Sequence, residues 1–229
     1  MLLVLLAVAD RAGAALAARA VADELQRSST LTSRPGVTVA GVPFLTQALR
    51  GRYERLDVTA ADVPAGTVGG EPLTLRTADV VLHGARVPLS DALSRRVTEV
   101  PVDRVDAVVL LPWDELARRA GDREVTLEPA GDRVRVRGEV RVLGQRLTAS
   151  AVSRLTVQDG AITVQAEELD IGNGAADRVL TRALQGRLDF RVPVQELPFG
   201  LSVDRLQVRP DGLAVRARAD DTVLSDPGR

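Results

Sequence analysis

Cysteine and lysine are absent from this 229-residue chain, and histidine occurs once. Without cysteine there is no disulfide framework, no thiolate zinc site and no thiol nucleophile, although the compartment stays open, since an exported protein can do without disulfides. The one histidine, His83, sits inside a strand pattern, so it builds neither a multi-histidine metal site nor a conventional triad with a local partner. No sign of charge dominates. The 30 basic residues, all arginine, meet 31 acidic ones for a net charge of -1, which excludes the global field that a nucleic-acid partner requires. Phe, Tyr and Trp make up only 2% of the chain, so its core is built from many small aliphatic contacts rather than a few large rings.

Long hydrophobic runs are missing as well. Residues 1–9, MLLVLLAVA, fall short of the ~20 apolar residues that cross a bilayer and lack the basic flank of an export signal. They are nevertheless too apolar for an ordinary soluble start. They read as the tail end of a longer signal or anchor, the alternative being a buried first turn of the helix that follows. Motifs of catalysis are equally scarce: there is no G-x-S-x-G elbow, no Walker loop and no H-E-x-x-H helix. The acidic pairs Glu167-Glu168 and Asp220-Asp221 are adjacent, and adjacent residues of a strand point to opposite faces, which suits solvated edges better than acid/base work. No metal, cofactor or catalytic residue is expected from this pattern.

What the chain does have is 45% hydrophobic residues, nearly all Ala, Val and Leu, over a length that suits one elongated domain or two small ones. Residues 10–26 follow a helical period, with Ala14, Ala18, Val21 and Leu25 on one side and an Arg19, Asp23, Arg27 ladder on the other. After a polar break, Val37 and Val39 open a strand that ends at Gly41, and Pro43 fits the start of a short helix stopped by Gly51. Strands are expected over 53–63 and 73–87, with a Pro/Gly-rich turn over 64–72 between them. A short helix follows over 90–96, then a strand over 102–111 and the short helix WDELARRA.

The cleanest period-two run covers 133–142: Val134, Val136, Val140 and Val142 face one way, and Arg133, Arg135, Arg137, Glu139 and Arg141 the other. With 124–129, 145–158 and 161–169 it forms an antiparallel meander. A last amphipathic helix is expected over 175–185, with Val179, Leu180 and Leu184 on one side and Arg178 and Arg182 on the other; strands over 188–192, 201–209 and 213–219 follow, and 220–229 is expected to fray. The fold class is α+β, a curved antiparallel sheet packed on an N-terminal and a C-terminal amphipathic helix.

The apolar clusters are more suggestive than any polar group. Val42, Phe44, Leu45 and Leu49, with Tyr53 just beyond, come from one strand-to-helix junction; Leu110, Leu111 and Trp113 come from a second. At such places the apolar face of a sheet can open to admit a chain-shaped ligand, each buried methylene contributing about 0.8 kcal/mol without directional demand. The bland alternative is that all of them are core. Gly172-Asn173-Gly174 ahead of the last helix offers free amides to a phosphate but reads more often as a turn and cap; Arg178 and Arg182 then serve either a lipid headgroup or a solvated face.

The run VTVAGVPFLTQALRGRYERLDV, after a helix of the kind VADRAGAALAARAVADEL, resembles the LmeA-type phospholipid-binding family of actinobacterial cell envelopes, and LPFGLSVDRLQVRPDGLAVRARADDTVL is similar to that family's closing strands. The resemblance implies a TULIP-like fold, related to the bactericidal/permeability-increasing class, in which a curved sheet wraps a helix and leaves an apolar groove or tunnel. It also implies an exported or anchored envelope protein that supports lipoglycan (lipomannan) metabolism. Only Phe44, Leu45, Thr46, Gln47 and Tyr53 carry over by motif, and no catalytic residue does.

The organisation expected is a signal or anchor remnant over 1–9, one lipid-binding domain over 10–224 and a tail over 225–229. The function expected is non-catalytic phospholipid binding in the envelope, with phospholipid and a membrane surface as partners. The alternative is a scaffold domain that engages an envelope glycosyltransferase without carrying lipid.

Overall fold

The computed structural model describes residues 1–28, 31–68, 71–94, 97–118, 125–142, 145–158, 161–171, 190–193 and 200–225. The first helix, α1 (Leu2–Ser28), begins before the expected residue 10, because Leu and Ala are strong helix formers and no proline interrupts them. Residues 2–9 therefore continue the same helix as residues 10–26. They are not a buried first turn, since Leu3 is 80% and Leu5 60% exposed.

Strand β1 (Gly36–Ala40), helix α2 (Phe44–Arg50), strands β2 (Arg52–Val68) and β3 (Glu71–Arg86), helix α3 (Leu89–Ser94) and strand β4 (Glu99–Leu111) come next. Helix α4 (Trp113–Arg118) leads into β5 (Val125–Ala130), β6 (Arg133–Val142), β7 (Gln145–Gln158), β8 (Ala161–Ile171), β9 (Phe190–Pro193), β10 (Ser202–Arg209) and β11 (Gly212–Ser225).

The architecture is α+β and mostly antiparallel, as expected, but the strands form two sheets rather than one and neither closes into a barrel. One sheet has six strands in the order β1-β2-β3-β4-β11-β10, the other five in sequence order, β5 to β9. The last strand is responsible for the division. β11 occupies the free edge of β4 along its length, from Leu213 opposite Leu111 to Ser225 opposite Glu99, so the chain leaving β4 must start a new sheet. The same ladder corrects the expectation that 220–229 frays, because residues 220–225 are held by β4.

The turn expected over 64–72 is also shorter, with strand pairing that reaches Val68 and Glu71. Pro64 is tolerated within β2 because β1 reaches only Thr59, leaving that side of β2 without a described partner strand and needing no N–H there. In β6 the period-two reading holds: Val134 and Val136 are buried, Arg135 and Arg137 exposed. The helix expected over 175–185 lies outside the described residues.

The largest core lies between the two sheets. Leu111, Leu213 and Val215 meet Leu127, Val134, Val136, Ala151, Ile162 and Val164, with Leu116 of α4 wedged among them. A second, smaller core joins α1 and α2 to β1 through Ala14, Val39, Phe44 and Ala48. A third, of Ala85, Val102, Val105 and Ala219, borders it across β2 and β3.

Candidate functional site

The first strand-to-helix junction is held by polar side chains. Gly41 takes φ +97°, and a Cβ there would fall 2.4 Å from Gln47 Nε2, so the backbone turns at a residue with no side chain to obstruct it. Gln47 is buried and uses both ends of its amide: Nε2 donates to the Ala40 carbonyl at 3.3 Å, and Oε1 accepts from the Glu54 N–H at 2.9 Å. One glutamine thus ties the end of β1 to the start of β2.

Pro43 at the N-terminus of α2 supplies no side-chain cap. The cap comes from α1, where the buried Asp10 carboxylate accepts from the Leu45 N–H at 2.8 Å. Arg11 lies 2.5 Å from the same carboxylate and donates to the Gly41 carbonyl at 3.0 Å. Hydrogen bonding from Arg11, followed by that from the Leu45 N–H, holds the Asp10 carboxyl below its ordinary value of 3.8.

Phe44 packs inward against Gly13 of α1, where an added Cβ would sit 3.2 Å from the ring, and its centroid lies 6.2 Å from that of Tyr53. Burial raises the Tyr53 hydroxyl above its ordinary value of 10.0. Leu45 is 37% exposed, and Val42 and Leu49, at 76% and 79%, stand outside the core altogether. At the second junction Leu111 and Trp113 join the inter-sheet core, with the Trp113 indole N–H donating to the Arg209 carbonyl at 3.2 Å, while Leu110 is buried on the opposite face of β4. The two junctions accordingly belong to separate clusters. The five expected site residues Arg178, Val179, Leu180, Arg182 and Leu184 lie outside the described residues.

What the registry of the six-stranded sheet brings together is larger than either junction. Residues directly opposite each other in an antiparallel ladder share a face. One row across the sheet reads Val37, Val58, Val80, Ala107, Ala217, Val203. On one side of it lies Val39, Leu56, Leu82, Val105, Ala219, and on the other Ala60, Ala78, Val109, Val215, Leu206. These rows contain only Ala, Val and Leu.

The row beginning at Val39 is covered by α1, α2 and their neighbours, and Val109, Val215 and Leu206 lie under the second sheet. Between these covers, Val58, Ala60, Ala78, Ala107 and Ala217 belong to none of the three packed clusters. Ala107 and Ala217 form a buried floor, and Val58, Ala60 and Ala78 a half-buried flank.

Sequence reading missed this strip because a lone Val or Ala in each strand is unremarkable. The signal was the alternation within every strand, which needs the register to become a surface.

The opposite face of the same sheet is charged. Arg55 pairs with Asp57 at 2.7 Å, Arg218 with Asp106 at 2.9 Å, Arg104 with Asp220 at 3.1 Å, and His83 Nε2 lies 3.3 Å from Asp106. The first pair lies within β2, and the other three contacts tie β3 and β11 to β4. In the second sheet, a register irregularity after Val152 brings Glu167 and Glu168 both to Arg133, at 3.0 and 3.4 Å, so their expected separation onto opposite faces does not occur.

In comparisons with known proteins, the family model described as LmeA-like phospholipid-binding matches residues 8–218. No curated protein and no solved structure matches the chain.

Proposed function

Given that the chain belongs to the LmeA-like phospholipid-binding family, we propose that it holds a phospholipid by its acyl chains along the aliphatic strip of the six-stranded sheet, without catalysing a reaction. The observation that carries this reading is the uninterrupted Ala/Val/Leu surface whose central alanines join no packed core among the described residues. Such a surface suits an acyl chain, which contributes free energy for each methylene removed from water and asks for no hydrogen bond.

In this reading the protein works in the cell envelope, exported or anchored through the apolar start of α1, and keeps phospholipid available to lipid and lipoglycan metabolism. The test is organic extraction and native mass spectrometry of the purified full chain, beside Ala78→Phe and Ala107→Phe variants. The wild type is expected to carry phospholipid and the folded variants markedly less. A wild type that carries no phospholipid would remove the proposal.

A further inference from the structure

Among the described residues, most of the large exposed apolar side chains lie on the first two turns of α1 and on or just before α2. In the first two turns of α1, Leu3, Val4, Leu5, Leu6 and Val8 are 57–80% exposed. Leu3 and Leu6 stand seven and four residues before Asp10, hence on the side of α1 that meets α2. There the turn before α2 adds Val42, and α2 adds Leu45 and Leu49. An open depression of about 700 Å³ runs along the same helix beside Leu3, Val4, Ala7, Val8, Arg11 and Ala12.

From this corner we infer that the protein docks on a phospholipid bilayer by inserting the apolar start of α1 and the outer side of α2, with Asp10 and Arg11 at the level of the headgroups. The occupant follows from the shape of the apolar surface. Residues 2–9 carry no polar side chain in any direction, so the helix end is apolar all round. A protein partner covers one side of a helix, whereas lipid hydrocarbon surrounds it.

No helix among the described residues is long and apolar enough to cross a membrane. The change to polar surface is abrupt and fixed in place, because Asp10 and Arg11 are pinned to α2 and to the β1 turn. Arg50, exposed in the last turn of α2 beside Leu49, makes no ion pair among the described residues and offers its guanidinium to a headgroup phosphate. Glu54 lies near Gly41 at the same corner, so the local charge is mixed and insertion carries more of the attachment than charge does.

This inference rests on the phospholipid reading but can fail separately from it. The experiment is flotation of the full chain with vesicles of phosphatidylglycerol and phosphatidylcholine at low and high salt. The wild type is compared with a Val42→Ser/Leu49→Ser double variant and a Leu3→Ser/Leu6→Ser double variant. Extracted phospholipid, light scattering and thermal melting are measured on each.

Vesicle partitioning is expected to fall at least about tenfold in both variants and to change little with salt, with extracted phospholipid and melting temperature retained. Partitioning equal to the wild type in both variants overturns the docking surface. A wild type that does not bind vesicles overturns it too, even if phospholipid is extracted. Variants that only turn a self-associated protein into a monomer assign the corner to a second copy of this chain. Loss of vesicle binding by the variants of a chain that carries no extracted phospholipid keeps the docking surface and removes the strip.

Discussion

Alternate residues of the same six strands build two unlike surfaces. On one, Val58, Val80, Ala107 and Ala217 sit side by side with aliphatic neighbours above and below. On the other, Arg55, Asp57, Arg104, Asp106, Arg218 and Asp220 form ion pairs, with His83 Nε2 3.3 Å from Asp106. The charged face satisfies itself within β2 and across neighbouring strands and is wetted, so each pair contributes modestly. The apolar face must be covered by something else. α1 and α2 cover one part and the second sheet another, and the alanine strip between them is the place proposed for the acyl chains. In that proposal, surplus apolar surface on a sheet serves binding because the local residues are too small to complete a core.

The contrast can be broken most severely by placing a charge on the dry side. Val105→Asp, at a position 2% exposed, leaves an unpaired carboxylate among aliphatic side chains and is expected to cost about 4 kcal/mol or more, enough to remove most folded protein in a denaturant titration. Asp106→Ala, one residue along on the wet side, should scarcely move the melting temperature. If the two substitutions were equally damaging, the division of the sheet into a dry and a wet face would be wrong.

A smaller effect separates the inward and outward residues of α2. Phe44→Ala removes the ring that fills the space beside Gly13 and is expected to destabilise by about 3 kcal/mol. Leu49→Ala, at a side chain 79% exposed, should stay within about 0.5 kcal/mol by the same equilibrium unfolding.

Weaker still is the pH dependence of the α1–α2 contact. The folded-state pKa of Asp10 is depressed by Arg11 and the Leu45 N–H. The stability it contributes is therefore present above the ordinary value of 3.8 and is lost as pH falls through the lower folded value. Melting temperature followed from neutral into acid should show that loss in the wild type and less of it in Asp10→Asn. Identical acid profiles would mean that Asp10 does not hold α2.

The least effect is expected from His83→Ala, because His83 belongs to the ion-paired face. Extracted phospholipid and melting temperature should both be unchanged, and loss of function in a variant that folds would reopen a catalytic reading.

Much of the fold was legible. Alternation over Arg133–Val142 and the Pro-led short helices at α2 and α4 are local signals, and local signals survive without tertiary context. The misreadings concern pairing. The strand nature of residues 220–225 depends on β4, to which they are bound but from which they are far in sequence. The site was legible only in part. Phe44 and Gln47 stood out as a motif, and their contacts show why: one fills the gap at Gly13, the other joins β1 to β2. The alanine strip did not stand out, because its members are dispersed over four strands.

The sequence by itself determined that this protein has an α+β fold with an aliphatic, aromatic-poor core, that it lacks the residues for thiol or multi-histidine chemistry, and that it carries the motif of its family. Each of those follows from composition or from spacing within a few residues. Only the tertiary structure decided that there are two sheets, that the aliphatic positions of six strands form one surface, and that Val42, Leu45 and Leu49 face outward beside the apolar start of α1. Those outcomes depend on strand register and on which distant segment claims a free edge, and register is set by the packing of whole faces rather than by any residue alone.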